Sequence, residues 1–292
     1  MTYTEVVVGV DGSAPSRDAL RWAAAEAGRR GLPLRVLLAY HWRIPGVRFA
    51  SSAQLELAAQ ELAELTVEDA VAEATSVSPG LAVTGSAVLG GASDTLIGAL
   101  HPTALAVLGS HGHHDVSAAL VGSVSLQIAT NAPCPVVVVR GRPHAVAGPV
   151  LVGVDGSPAA ENALGVAFEH AASRGGDLLV ARAFRPPEPP WLDSVRSAYY
   201  DPVAVEGELL ADLHHTVASW RDKYPKVRVE CHVIVGRPGA VLVDRSRRAA
   251  LVVVGSRGYG GFVGLLLGSV SHHLLHHAEC PVLVVRGSET SA

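Results

Sequence analysis

The chain contains itself twice. EVVVGVDGSAPSRDAL at residues 5–20 returns as PVLVGVDGSPAAENAL at 149–164, an offset of 144 residues from Glu5 to Pro149. LAVLGSHG at 105–112 returns as LVVVGSRG at 251–258, now offset by 146. GSVS at 122–125 returns at 268–271, and APCPVVVVRG at 132–141 returns as AECPVLVVRG at 278–287. Four landmarks in one order at near-constant spacing mark a duplicated domain, because the period far exceeds the roughly 20–50 residues of solenoid repeats. The expected domains are 1–143 and 147–292, with RGRPHAVAGP at 140–149 as a short linker.

Within each copy, strand and helix signals alternate. β-branched runs at 6–10, 34–40, 81–88, 104–108 and 136–139 read as five strands, and 16–30, 54–76, 92–100 and 123–131 read as helices. In the second helix Glu56, Glu61, Glu64, Glu68 and Glu73 mark a solvated side. The second copy repeats the plan with strands at 150–154, 178–183, 227–235, 251–254 and 282–285. Apolar strands without alternation, separated by helices, predict an α/β fold of two tandem open parallel five-stranded sheets with helices on both faces. An apolar content of 49% against 17% charged residues supplies a core for each copy.

The same composition narrows the partners. A net charge of -4 and the absence of any Lys/Arg-rich block argue against nucleic acid. Apolar runs such as 136–139 and 265–267 fall far short of the roughly 20 residues a membrane helix needs. MTYTEVVVGVDGS opens directly on a strand-like run without a basic, then apolar, leader, so a cytoplasmic protein is expected. Three cysteines, Cys134, Cys231 and Cys280, cannot close a disulfide framework and read as small core residues.

In open α/β sheets a ligand sits beyond the carboxyl ends of the strands, where strand order reverses. Two loops per copy suit that place. Asp11-Gly12-Ser13 and Asp155-Gly156-Ser157 lead from the first strand into a helix, with the serines as N-caps and the glycines making the turn. Alone, this is equally a capped strand-to-helix turn. The second loop is more specific: Gly109-Ser110-His111-Gly112, nine residues, then Gly122-Ser123, repeated as Gly255-Ser256-Arg257-Gly258, nine residues, Gly268-Ser269. Glycines let backbone N–H groups approach an anion, and the closing Gly-Ser opens a helix whose positive end favours phosphate. Ser123, Ser125, Ser269 and Ser271 are expected to add hydroxyl donors on that first turn.

These motifs, across essentially the whole chain, resemble the universal stress protein family in its ATP-binding, tandem form. The resemblance implies a Rossmann-like, adenine nucleotide alpha hydrolase-like fold with strand order 3-2-1-4-5, which brings both loops to one crevice. It also implies that Asp11 with Ala39, and Asp155 with Ala183, hold adenine and ribose, while the loop after the fourth strand holds the phosphates, with Mg²⁺ bound through them. The implied nucleotide contacts are Gly9, Asp11, Ala39, Leu108, Gly109, His111, Gly112, Gly122, Ser123, Val124 and Ser125 in the first copy. In the second they are Gly153, Asp155, Ala183, Val254, Gly255, Arg257, Gly258, Gly268, Ser269, Val270 and Ser271. Family domains pair through the last strand, so an intrachain pseudo-dimer is expected, with chain dimerisation as a further step. That pairing would also cover the flat apolar edges PVVVVR and PVLVVR.

The two sites are not equivalent. The second has Arg257, which can neutralise phosphate charge, and further glycines Gly260, Gly261 and Gly264. The first has His111 there, followed by His113, His114 and Asp115, which give phosphate less and repel it. Other features have plain readings. The i,i+4 histidines His272, His273, His276 and His277 have metal-ligand spacing, yet lack the Glu of H-E-x-x-H and read as packing or surface residues. The Pro-rich stretch 185–190 with Trp191 reads as a rigid surface loop. No G-K-[ST] ends the phosphate loop, no S-G-G-x-D-S loop is present, and the first copy contains no lysine. The expectation is a nucleotide-dependent stress regulator without assigned catalytic residues. The alternatives are a slow hydrolase or phosphotransferase, or an interaction module that needs no nucleotide.

Overall fold

The computed structural model describes residues 3–41, 52–112, 121–142, 148–185, 201–259 and 267–286. The linker stretch 143–147, the loop residues 113–120 and 260–266, and the Pro-rich segment 186–200 lie outside the described residues.

The first copy runs β1 (Glu5–Gly9), α1 (Ala14–Arg30), β2 (Leu34–Tyr40), α2 (Ser52–Val77), β3 (Val83–Leu89), α3 (Ala92–Ala99), β4 (Ala104–Gly109), α4 (Ser123–Asn131) and β5 (Val136–Val139). The second runs β6 (Val150–Gly153), α5 (Pro158–Arg174), β7 (Leu178–Phe184), α6 (Pro202–Lys223), β8 (Val229–Val235), α7 (Pro238–Ser246), β9 (Leu251–Gly255), α8 (Ser269–His277) and β10 (Val282–Val285). Local chemistry sets the ends of the first helix in each copy. The hydroxyls of Ser13 and Ser157 accept from the N–H groups of Ser16 and Ala160, as the sequence predicts. Gly31 and Gly175 close the helices in the left-handed conformation, φ +64° and +59°.

Both copies have strand order 3-2-1-4-5, and all pairs within a copy are parallel. The structure departs from the expectation of two sheets: β5 and β10 pair antiparallel and fuse them into one ten-stranded sheet. The register is self-matching. Val137 faces its own repeat-equivalent Leu283, while Val138 faces Val282 and Val136 faces Val284, each meeting the other's equivalent across a pseudo-two-fold axis. The two apolar edges thereby cover each other, as expected.

Central strands are buried on both faces, which explains their unalternating sequences. Val6, Val8, Leu105, Val107, Val137 and Val139 point into one core under α1, α2, α5 and α6. Val7, Ala106, Leu108, Val136 and Val138 point into the other, under α3, α4, α7 and α8. Cys134 and Cys280 are buried, and burial pushes both thiols up to about 12. Cys231 is less buried than expected: it lies on β8, partly buried against the edge of the core and near the Arg221 guanidinium. On α2, Glu61, Glu64 and Glu68 are exposed as expected, and Leu57, Leu62 and Leu65 are exposed beside them. Among the described residues no helix is long and apolar enough to cross a membrane.

Candidate functional site

In each copy β1 and β4, or β6 and β9, are neighbours whose connections leave in opposite directions, which opens a crevice at their carboxyl ends. The first crevice is a cavity of about 410 Å³ and the second one of about 460 Å³, both within the range of small-molecule sites. The first is lined by Gly9, Asp11, Ala39, Leu108, Gly109, His111, Gly112, Gly122, Ser123, Val124 and Ser125. The second is lined by Gly153, Asp155, Ala183, Val254, Gly255, Arg257, Gly258, Gly268, Ser269, Val270 and Ser271. Every nucleotide contact that the resemblance implies therefore falls on one of the two cavity walls. His113, His114, Asp115, Gly260, Gly261 and Gly264 lie outside the described residues.

The turn after the first strand is built by its carboxylate. Asp11 Oδ1 accepts from Ser13 N at 2.9 Å, and Asp155 Oδ1 from Ser157 N at 3.0 Å. Gly12 and Gly156 occupy φ of +84° and +83°, which only glycine adopts without strain. The second carboxylate oxygen reaches across the crevice. Asp155 Oδ2 accepts from Tyr259 N at 3.0 Å, so this aspartate ties the loop after β9 to the loop after β6. A Cβ on Gly258 would overlap that oxygen, and one on Gly112 would lie 2.6 Å from Asp11 Oδ2. The second glycine of each G-x-x-G thus admits a carboxylate.

The first glycine has a different reason. A Cβ on Gly109 would lie 2.7 Å from the Pro15 carbonyl carbon, and one on Gly255 2.8 Å from that of Ala159. These glycines let the first turns of α1 and α5 pack against the ends of β4 and β9.

The serines divide in two. The Ser125 hydroxyl donates to the Gly109 carbonyl at 2.6 Å and that of Ser271 to the Gly255 carbonyl at 2.7 Å. This corrects the expectation that they donate to a ligand: each has one proton, and it is spent on the strand end. Ser123 and Ser269 are exposed at the cavity and make no hydrogen bond among the described residues. The helix starts differ in the same way. α1 and α5 carry serine caps, whereas α4 and α8 begin at Gly122 and Gly268 without any side-chain cap. Their first amides therefore face the cavity with no side chain satisfying them.

Sequence reasoning missed the wall opposite the loops. α3 supplies Ala92 and Leu96, and α7 supplies Pro238 and Leu242. Leu96 and Leu242 pack where Gly9 and Gly153 lack a Cβ, giving each cavity an apolar side. Both pairs recur at the 146-residue offset of the glycine loops, and that recurrence was the available signal.

The first site touches the other domain. Val121 N donates to His276 Nδ1 of α8 at 3.4 Å, and His111 also borders an interdomain cavity of about 490 Å³ with Arg140, His276 and His277. Burial and the neighbouring imidazoles lower the pKa of His276, which favours its neutral form. Among the described residues no group of three or more His, Cys, Asp or Glu has metal-binding geometry. The α8 histidines pack in i,i+4 ring pairs with centroids 4.6 and 4.5 Å apart.

Comparisons with known proteins agree with this architecture. The universal stress protein family matches the chain twice, over residues 2–140 and 147–286. The chain is 36% identical to universal stress protein Rv2005c of Mycobacterium tuberculosis, covering 97% of each chain. It is 34% identical to Rv1996 of the same organism, covering 98% of this chain and 96% of that one. A crystal structure of a universal stress protein from Archaeoglobus fulgidus has the same fold, with a TM-score of 0.71 at 20% identity, covering 99% of this chain and 100% of that one. A duplicated 3-2-1-4-5 domain matched twice by one family, with relatives similar end to end, leads to one conclusion: the chain belongs to the universal stress protein family.

Proposed function

We propose that the protein is a nucleotide-dependent regulator that binds ATP at two unequal sites. The observation that carries this reading is the contrast between helix starts. Of the two helices per domain that follow the glycine-containing motifs, one is capped by its own serine, while the other, starting at Gly122 or Gly268, has no side-chain cap where it lines the cavity. An uncapped N-terminus with its positive dipole end is suited to phosphate. The opposite wall, with Leu96 or Leu242 beside Ala39 or Ala183, suits an adenine ring, and the strand-end carboxylate lies between. Mg²⁺ would be held through the phosphates, since it keeps several waters and needs few protein ligands.

The chemistry favours binding over phosphoryl transfer. The chain has only two lysines, Lys223 and Lys226, at the end of α6 and just before β8. That is the amino end of the second domain's strands, opposite the second cavity, and no lysine lines either cavity, so neither serves as the phosphate lysine that transfer enzymes use. Bound ATP would instead act on the loops that Asp11 and Asp155 organise.

Purification without added nucleotide, followed by denaturation, is expected to release one to two adenine nucleotides per chain, as read by chromatography and mass. Calorimetry with ATP is then expected to resolve two affinities. Arg257→Ala should weaken the tighter site about tenfold, the cost of one charge-assisted contact, and His111→Ala should weaken the other far less. Equal losses would overturn the inequality of the sites. No released nucleotide together with no ATP binding would overturn the nucleotide reading and favour an interaction module.

A further inference from the structure

The ends of α1 and α5 meet at the pseudo-two-fold axis around a fully buried carboxylate. Glu26 has no exposure, yet four basic side chains converge on it. Arg29 pairs with Oε2 and Arg30 with Oε1 at 2.6 Å, both from the same helix. From the other domain, Arg174 donates to Oε2 at 2.8 Å, and His170 Nδ1 lies 3.1 Å from Oε1, off the line of a good hydrogen bond. Tyr3 stands edge-on to the His170 ring with the Arg30 guanidinium over its face, and Arg174 lies over Trp22.

The repeat offset of 144 makes Glu26 and His170 equivalent positions, and likewise Arg30 and Arg174. The axis therefore sets one position against its own counterpart, and there the copies carry different residues. In a pair of two second domains, two His170 and two Arg174 would meet with no carboxylate at that position. In a pair of two first domains, two buried Glu26 carboxylates would meet across the axis. A buried charge left without its partner strongly destabilises an interface, and such mismatches are how related surfaces discriminate among partners.

We propose that the Glu26 cluster is a partner-selection device, which makes each half of the chain fit the other half and reject a second copy of itself. The β5–β10 seam cannot do this. Its register is self-matching and its valines and leucine are alike in both copies, so the backbone pairing would serve any combination. Selection has to come from side chains at the axis, and Glu26 facing His170 is a buried difference in charge there. The gain to a tandem chain is that its apolar edges close internally before they meet another molecule.

The test uses the full-length protein with a protease site placed between positions 143 and 147 and cut after folding, so that both halves remain present in equal amounts. Native mass spectrometry after re-equilibration should show only the heterotypic pair. In the Glu26→His protein both halves carry histidine at the axis, and pairs should drift towards a statistical mixture with both homotypic species present. The exchange variant Glu26→His/His170→Glu restores one carboxylate and one imidazole, and selectivity should return. Homotypic pairs from the unsubstituted protein would overturn the proposal, as would undiminished selectivity in Glu26→His. Should Glu26→His not fold, the exchange variant decides: a folded, selective pair supports the device, and a statistical mixture or a failure to fold overturns it.

Discussion

Acidification from pH 7 to pH 4 is expected to cost the folded protein about 3 kcal/mol through His170 alone. Burial pushes the His170 imidazole down from its ordinary value of 6.5 to about 4, Glu26 opposes the shift, and Arg30 and Arg174 reinforce it. The folded protein therefore holds this histidine neutral where the unfolded chain protonates it. Between about 6.5 and about 4 the unfolded state binds more protons, so stability falls as the pH falls through that window. Glu26 extends the loss to lower pH. Burial alone would raise its pKa, but His170, Arg174 and Arg30 outweigh burial and hold the carboxyl well below its ordinary value. Below the ordinary carboxylate range the unfolded chain again takes up the extra proton. His273 and His276, lowered by burial and by each other's neighbours, act in the same direction. Urea unfolding at several pH values measures the sum, and His170→Gln isolates the part at the axis by flattening the slope between 6.5 and 4. A slope in that window unchanged by His170→Gln would show that the buried pair is not the acid-sensitive element.

The fold was legible because its physics repeats in one dimension. β4 and β5 are buried on both faces, so every residue had to be apolar and no alternation could mislead. Legibility fell off at the sheet's outer edge. β3 is mostly exposed, and its expected bounds of 81–88 shifted to Val83–Leu89, because little burial is at stake to fix them. The site was legible as a set of positions and less so as a set of roles. Glycines and serines announced the two loops, but a sequence does not say whether a missing Cβ admits a ligand, a carboxylate or a helix. Gly258 and Gly255 turned out to admit Asp155 and Ala159 respectively, and the hydroxyls of Ser125 and Ser271 turned inward. The Glu26–His170 contact was not legible at all. Its partners lie 144 residues apart on two unremarkable helix faces, and only the antiparallel fusion of β5 with β10 brings them together.

That division of roles gives the second large prediction. Gly255→Val should lower stability by about 3 kcal/mol, while Gly258→Ala should change it by less than about 1 kcal/mol yet disturb the cavity more directly. At Gly255 the obstacle is backbone: a Cβ would sit 2.8 Å from the Ala159 carbonyl carbon and 2.9 Å from its oxygen, with the Ala159 Cβ also at 2.9 Å. Neither β9, hydrogen-bonded on both sides, nor the capped first turn of α5 can yield cheaply. At Gly258 the obstacle is a carboxylate at the end of a short side chain, which can rotate away at the cost of its bond to Tyr259 N. Releasing that bond frees the loop after β9 without removing buried apolar contacts. Thermal or urea unfolding of the two variants reads the stability difference, and ATP calorimetry on the folded fraction reads the cavity. A Gly255→Val protein as stable as the parent would mean that the end of β9 can move away from α5, and the close packing that fixes the crevice would no longer be a sound basis for its shape.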